Sequence, residues 1–318
     1  MNLLEVCALH HYINSCMEQT TAVTESLEQC PLCQSDRLVT IDRKCCLQRC
    51  KTCGFLFLSP RPTAAELLAF YSQPTKSDEW MVNEMGRDDL WMRRLTKLHR
   101  IRRGGSLLDI GTGIGQFLHY AQNFFSPVAG TEVSDAAIRI ARRKYGFTIH
   151  KGEVTEIDWG EQRFDVITLF QVLEHVSDPL QIILKCYELL HEDGVLIISV
   201  PNELQSLKSK VRAFARLFGK KKYQNTGKYG IPKFSFNGSS PYLHLSHFTP
   251  KVLQVCLQRC GFEIRETALD PYYENTGGKK ALHDLHYFFG SLFWRVFHKN
   301  VYDAIWITAV KPKREVID

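Results

Sequence analysis

Ser106-Leu-Leu-Asp-Ile-Gly-Thr-Gly-Ile-Gly-Gln-Phe-Leu118 is the stretch on which the fold turns. Leu107 to Ile110 is a short apolar run suited to a buried parallel strand. Gly111, Gly113 and Gly115 then form a G-x-G-x-G turn, and Gln116 to Phe125 reads as the following helix. Glycines at this spacing let the backbone turn tightly and meet a ligand without a side chain in the way, and the helix beyond offers its unpaired N–H groups. Many nucleotide-binding α/β proteins share such a loop, so its neighbours must narrow the reading.

Asp109 sits on the strand just before the loop. An acid there repels a pyrophosphate and suits a cationic amine or sulfonium. Val128 to Glu132 reads as the next strand, and Glu132 lies 21 residues past Gly111, where a second strand places an acid on ribose hydroxyls. Val133 follows it. Ser134 is placed to cap a helix from Asp135 to Tyr145 that Gly146 ends. Phe147 to Lys151 is expected as the third strand, Phe164 to Phe170 as the fourth, Pro179 to Leu190 as a helix and Gly194 to Val200 as the fifth strand. Strands alternating with helices predict a doubly wound, mostly parallel sheet, whose ligands lie beyond the carboxyl ends of the strands. One pocket is therefore expected around Asp109, Gly111, Gly113, Gly115, Glu132, Val133, Glu153, Val154, Phe170 and Gln171.

The D-x-G-x-G-x-G loop, the second-strand acid and the segment Arg163-Phe-Asp-Val-Ile followed by Val172-Leu-Glu-His-Val-Ser-Asp-Pro179 together resemble the class I S-adenosylmethionine-dependent methyltransferases, over roughly Gly105 to Val310. The resemblance implies a Rossmann-like seven-stranded α/β sheet, with the last strand, Val301 to Val310, inserted antiparallel. It also implies S-adenosylmethionine as cofactor and adenine contacts near Glu153 and Val154. In some resembling enzymes E-x-x-E-H with a later histidine binds a divalent metal; here Gln171 stands in place of the first acid, so Glu174 and His175 are expected to cap and orient the next helix. Tyr242 to Pro250 resembles the family's H-L-x-x-F segment. That brings His244 and His247 to the substrate side, with His247 preferred, and makes His247 and His175 the candidate catalytic bases.

Upstream, Cys30-Pro-Leu-Cys33 and Cys50-Lys-Thr-Cys53 are separated by 16 residues. Each C-x-x-C forms a knuckle with two thiolates facing one ion, and four thiolates suit a closed, structural tetrahedral Zn²⁺ site. Leu38 to Leu47 is expected as the hairpin between them, with Cys45 and Cys46 outside the ligand set. The ribbon, with Phe55 to Pro62 extending away from it, resembles the N-terminal zinc segment of many bacterial methyltransferases of polysaccharide, glycolipid and natural-product pathways. The division expected is a helix and linker over 1–29, a zinc-ribbon module over 30–62, connecting helices over 63–104 with Trp80 to Arg102 amphipathic, and the main domain over 105–318. Tyr71 and Trp80 are expected to pack in the core.

The chain has 318 residues, net charge +6 and eleven cysteines, including two adjacent. That usage fits a reducing compartment, and the absence of a basic n-region or a long apolar run gives a cytoplasmic expectation, with peripheral contact at the inner membrane face. The charge is local. Glu203 to Lys233 carries nine Lys/Arg against one acid, and Arg93 to Arg103 six against none. Within a basic lid insertion over 203–243, residues 204–222 read as a basic amphipathic helix that covers the site or touches a membrane surface. The acceptor expected is a hydroxyl on a glycan, glycolipid or secondary metabolite. C-methylation of an activated sugar is the alternative, and from another class a zinc-ribbon nucleic-acid-binding protein or RNA methyltransferase using Arg93 to Arg103 on phosphates. Nucleic acid is disfavoured, because the ribbon lacks basic and stacking residues.

Overall fold

The computed structural model describes residues 23–73, 84–218, 226–231, 243–271 and 277–313. Most of the expected N-terminal helix, Trp80, Lys220 to Lys222 and the loop over 232–242 lie outside these residues.

Seven strands form the central sheet: β6 (Leu107–Ile110), β7 (Val128–Glu132), β8 (His150–Lys151), β9 (Phe164–Phe170), β10 (Leu190–Pro201), β12 (Glu263–Leu269) and β13 (Ala304–Val310). Their order is β12-β13-β10-β9-β6-β7-β8, and β13 runs antiparallel to both of its neighbours. The expected Rossmann-like architecture is therefore the one observed. β6 and β9 lie at the middle of the sheet and are buried almost throughout because helices cover both faces. Those helices are α2 (Glu84–Ile101), α3 (Gln116–Ala121), α4 (Asp135–Tyr145), α5 (Pro179–Leu189) and α7 (Pro250–Arg259). The α4 boundaries follow from its ends: Ser134 Oγ accepts from the Ala137 amide, and Gly146 sits at φ 77°. The third strand is shorter than its sequence suggested, since Phe147 turns onto the core beside α3 and only His150–Lys151 pairs with β7.

The cysteine segment forms the expected hairpin, β2 (Leu38–Asp42) against β3 (Leu47–Cys50), and β4 (Leu56–Leu58) adds to it. The fourth strand of this small antiparallel sheet comes from far along the chain: β11 (Ser246–His247) pairs with β4. Phe55 to Leu58 thus does not extend away. Phe55 and Phe57 are fully buried in one core with Phe248, Leu253, Ile198 and Ile307. β5 (Arg61–Pro62) pairs with β1 (Thr24–Glu25) and leads into α1 (Ala64–Tyr71), capped by Thr63.

Two further helices stand outside this body, α6 (Leu207–Leu217) after β10 and α8 (Gly277–Phe297) before β13.

Candidate active site

Register sets the strand ends side by side. Ile110 pairs with Thr131 and Leu169, and Glu132 pairs with Lys151. The residues that follow each strand, Gly111, Val133, Gly152 to Val154 and Gln171, therefore emerge along one edge. Gly111, Gly113 and Gly115 have φ of 68°, 57° and 80°, a region that a Cβ disfavours. A Cβ on Gly111 would also lie 2.6 Å from Val172, so glycine there seats the segment after β9.

Glu132 is buried, and its carboxylate accepts from the amides of Gly113 (2.8 Å), Val133 (2.8 Å) and Ser134 (2.9 Å). Burial pushes its pKa up and the three amides pull it back. A carboxylate has roughly four lone-pair sites, so one is left for a ligand hydroxyl. Asp109 lies under the loop, accepting from Thr168 Oγ1 at 2.6 Å, and burial raises it to about 7. Glu153 is half-buried with its pKa raised by that burial, while the carbonyl of the buried Val154 accepts from Trp159 Nε1 at 3.0 Å. The Phe170 ring packs edge-on to Phe117 at 4.9 Å, under the Arg94 guanidinium at 4.4 Å.

Gln171, at φ 58°, donates from Nε2 to Ser199 Oγ at 3.0 Å. Ser199 donates in turn to Asp270 at 2.6 Å, and Arg94 closes on the same Asp270 carboxylate in an ion pair with both side chains buried. This network escaped the sequence reading, which counted Arg94 among exposed basic residues. Three more of that run pair with acids, Arg93 with Asp284, Lys97 with Glu266 and Arg102 with Asp165, while Arg100 and Arg103 are exposed. Four of the six cations of this segment are thus tied to acids of the same chain. The same helix clamps the glycine loop. Gln116 accepts from Trp91 Nε1 at 3.0 Å and donates to the Glu84 carbonyl at 2.9 Å and to Asp88 at 2.7 Å.

A second group converges beyond β9 and β10. Both Glu174 carboxylate oxygens are buried without a hydrogen-bond partner, and burial lifts the group to about 7. His175 Nε2 stands 3.7 Å from Glu174. The His175 Nδ1–H donates to the Leu243 carbonyl at 2.8 Å, and Tyr71 Oη lies 2.7 Å from the same nitrogen. A carbonyl only accepts, which fixes the tautomer and leaves Nε2 a lone pair. Burial and the nearby His244 hold His175 down, to about 3. Glu203 accepts from Nδ1 of His244 at 3.0 Å and of His247 at 2.6 Å. Burial alone would lower His244, but the Glu203 charge prevails and lifts it to about 9.

Three side chains bear on the expectations. Asp178, not Glu174 or His175, caps α5. His247 is buried in the β11–β4 ladder with its ring on Glu203, whereas His244 is the histidine facing His175, with ring centroids 4.8 Å apart. Tyr71 packs against a buried apolar cluster as expected, and its hydroxyl also reaches this group.

With that geometry in place, comparison with known proteins becomes informative. A family model described as "Methyltransferase domain" matches residues 84–267. The chain belongs to that family. Among relatives of this methyltransferase domain, the ubiquinone biosynthesis O-methyltransferase of Histophilus somni is 30% identical over 166 residues, covering 49% of this chain and 67% of that protein. Its counterpart in Haemophilus ducreyi is 34% identical over 109 residues, covering 31% and 46%. The chain spans about half the length of the first of the curated relatives it matches. An S-adenosylmethionine-dependent methyltransferase structure from Mesorhizobium loti aligns at TM-score 0.47 and 16% identity, covering 65% of this chain and 91% of that one.

The donor set of the methyltransferase domain suits S-adenosylmethionine. Two acids, Asp109 and Glu132, stand at the ends of adjacent strands, which favours a sulfonium and ribose hydroxyls over a pyrophosphate. The cysteine cluster suits zinc. The Cys30–Cys53 and Cys33–Cys50 sulfur pairs are each 3.6 Å apart, and all four sulfurs lie within 4.8 Å of one another. Four sulfurs at about 2.3 Å from one ion would stand about 3.8 Å apart in a tetrahedron. Glu174, His175 and His244 likewise offer atoms within 4.8 Å of one another, a set able to hold a divalent ion.

Proposed function

We propose that this chain transfers a methyl group from S-adenosylmethionine to a hydroxyl oxygen of a glycan, glycolipid or secondary metabolite. The observation that carries the reading is the unpartnered Glu174 carboxylate facing His175 Nε2 beyond β9, two residues past the Val172 that packs on Gly111. The name of the relatives, O-methyltransferases of ubiquinone biosynthesis, supports an oxygen acceptor.

S-adenosylmethionine supplies a methyl already on a good leaving group, so positioning does much of the work. Gly111 to Gly115 and Glu132 would hold the adenosine, with Val133, Glu153 and Val154 beside it. Phe170 and Gln171, braced by Arg94 and Asp270, shape the wall toward the acceptor. The acceptor hydroxyl docks where Glu174 and His175 Nε2 converge, and its proton passes to the Glu174 carboxylate. A base of pKa about 7 suits removal of that proton near neutral pH. His244 and His247, held by Glu203, are positioning residues. A second reading rests on the same orphan carboxylate: a divalent cation held by Glu174, His175 and His244 would acidify the hydroxyl there. Cys30, Cys33, Cys50 and Cys53 would hold a structural zinc. Helix α6, which leaves β10 just past Glu203, is the part of the chain nearest to meet a lipid-borne acceptor.

Calorimetry tests the cofactor half: S-adenosylmethionine binds the wild type, and Glu132→Ala weakens it at least about tenfold, the loss of a charge-assisted hydrogen bond. A hydroxyl-acceptor panel read by S-adenosylhomocysteine release tests the other half. Glu174→Gln is expected to lose about 10²–10⁴-fold in kcat/KM while still binding cofactor. A folded protein that does not bind S-adenosylmethionine overturns the reading, and full activity in Glu174→Gln removes Glu174 as the base.

A further inference from the structure

Helices α6 and α8 are built inside out. On α6, Ser206, Ser209 and Ala213 face the body, where the backbone of Ser209 and Ala213 touches Gly230. Leu207, Val211, Phe214 and Phe218, spaced four, three and four residues apart, are each more than half exposed. Helix α8 repeats the inversion over a greater length. Its Asp284 turns inward to Arg93, Tyr287 packs edge-on to Tyr302, and Gly290 is its one buried residue. Leu282, Leu285, Phe289, Leu292 and Val296, spaced three, four, three and four apart, are each at least half exposed, as are Phe288 and Phe297. Apolar stripes of this extent on a protein surface mark an interaction site.

The start of α6 lies against the loop that follows α8. The Leu207 amide donates to the Val301 carbonyl at 2.8 Å, four residues past the end of α8. Charge then distinguishes between occupants. Helix α6 carries Lys208, Lys210, Arg212 and Arg216 and no acid, and the one acid of α8 is the inward Asp284. Lys220, Lys221 and Lys222 follow α6 in the sequence. A second copy of the chain would bring these cations against one another, which opposes self-association through this face. An anionic bilayer complements both features, taking the apolar stripes into its acyl boundary and the cations among its headgroups. No helix among the described residues is long and apolar enough to cross a membrane, so α8 would lie in the interface plane.

We propose that α6 and α8 form a docking face for an anionic lipid bilayer, with the chain resting on the surface rather than spanning it. Because α6 starts just after Glu203, docking would turn the acceptor side of the molecule toward the lipid. The proposal stands apart from the methyl-transfer reading, since it concerns a surface and requires no turnover.

The test is co-sedimentation of the full chain with vesicles of phosphatidylglycerol and phosphatidylethanolamine, and with vesicles of phosphatidylcholine alone. Binding to the anionic vesicles is expected to be at least tenfold stronger and to weaken with added salt. Phe214→Glu and Phe289→Glu, both at exposed positions, should each reduce it about tenfold with the far-ultraviolet dichroism unchanged. Lys210→Glu should reduce it less and flatten the salt dependence. Equal binding to both vesicle types, or none to either, overturns the proposal. So does a concentration-dependent dimer that Phe289→Glu dissociates, which would assign the face to a second copy.

Discussion

Glu174 ties stability to pH in a direction that can be worked out. Its folded pKa of about 7 stands above the ordinary 4.5 because burial penalises the charged form. The folded state therefore holds this proton more tightly than the unfolded chain does. Stability is greatest while the group is protonated, falls as pH rises from about 4.5 to about 7, and the loss is complete above that range. At about 1.4 kcal/mol per unit, the effect is on the order of 3 kcal/mol. Glu174→Gln has no proton to lose. Urea unfolding between about pH 5 and about pH 8, without added divalent cation, should show the variant gaining on the wild type as pH rises. Parallel curves would mean that the folded and unfolded states hold this proton equally tightly, so that burial does not shift the carboxyl. Arg94 makes the opposite case, a buried charge already matched. Arg94→Ala leaves Asp270 uncompensated in the core and should cost about 3–5 kcal/mol in the same measurement. Arg94→Met with Asp270→Leu should recover part of that loss, because removing both charges removes the orphan.

At the level of elements, local chemistry made most boundaries readable. Helix α4 was legible end to end because Ser134, Asp135 and Gly146 are its cap, first-turn acid and stop. Ser134→Ala should cost about 1 kcal/mol, seen as a lowered urea midpoint with an unchanged slope. The cofactor edge was equally legible, since the glycine loop and the Glu132 strand end are short-range signals that parallel register brings together. What the sequence hid was long-range. Arg94 and Asp270 are 176 residues apart, and Ser246–His247 joins a sheet whose other strands lie before residue 59. Neither pairing leaves a periodic trace. The two histidines show the same limit: His244 and His247 are equivalent in the sequence, and the β11–β4 ladder turns His247 into the wall, its Nε2 buried without a hydrogen-bond partner, and His244 toward His175. The inverted orientation of helix α8 is likewise long-range, since it depends on which side meets β12.

Across the whole molecule, the ribbon and the large sheet share one core, so they should unfold as one unit. Cys30, Cys50, Phe55 and Phe57 pack in the same buried cluster as Ile198, Leu253 and Ile307. β11 then binds the two sheets through its pairing with β4, and the Glu174 carbonyl accepts from the Leu245 and Ser246 amides at 2.8 and 3.1 Å. An ion held by Cys30, Cys33, Cys50 and Cys53 would thus stabilise the candidate active site as well as the ribbon. The zinc-bound protein should carry one zinc per chain by elemental analysis and melt in a single transition. Zinc release, followed with a colorimetric chelator, should coincide with the loss of near-ultraviolet dichroism, because the buried knuckle cysteines Cys30 and Cys50 belong to the core of the large sheet. Structural zinc contributes up to about 10 kcal/mol in isolated modules, and even a third of that should lower the melting temperature by about 10 °C when a strong chelator is present. Zinc leaving well below the melting transition, with the dichroism of the main sheet intact, would show instead that the ribbon folds as an appendage and that the β11 ladder is not what couples it to the site.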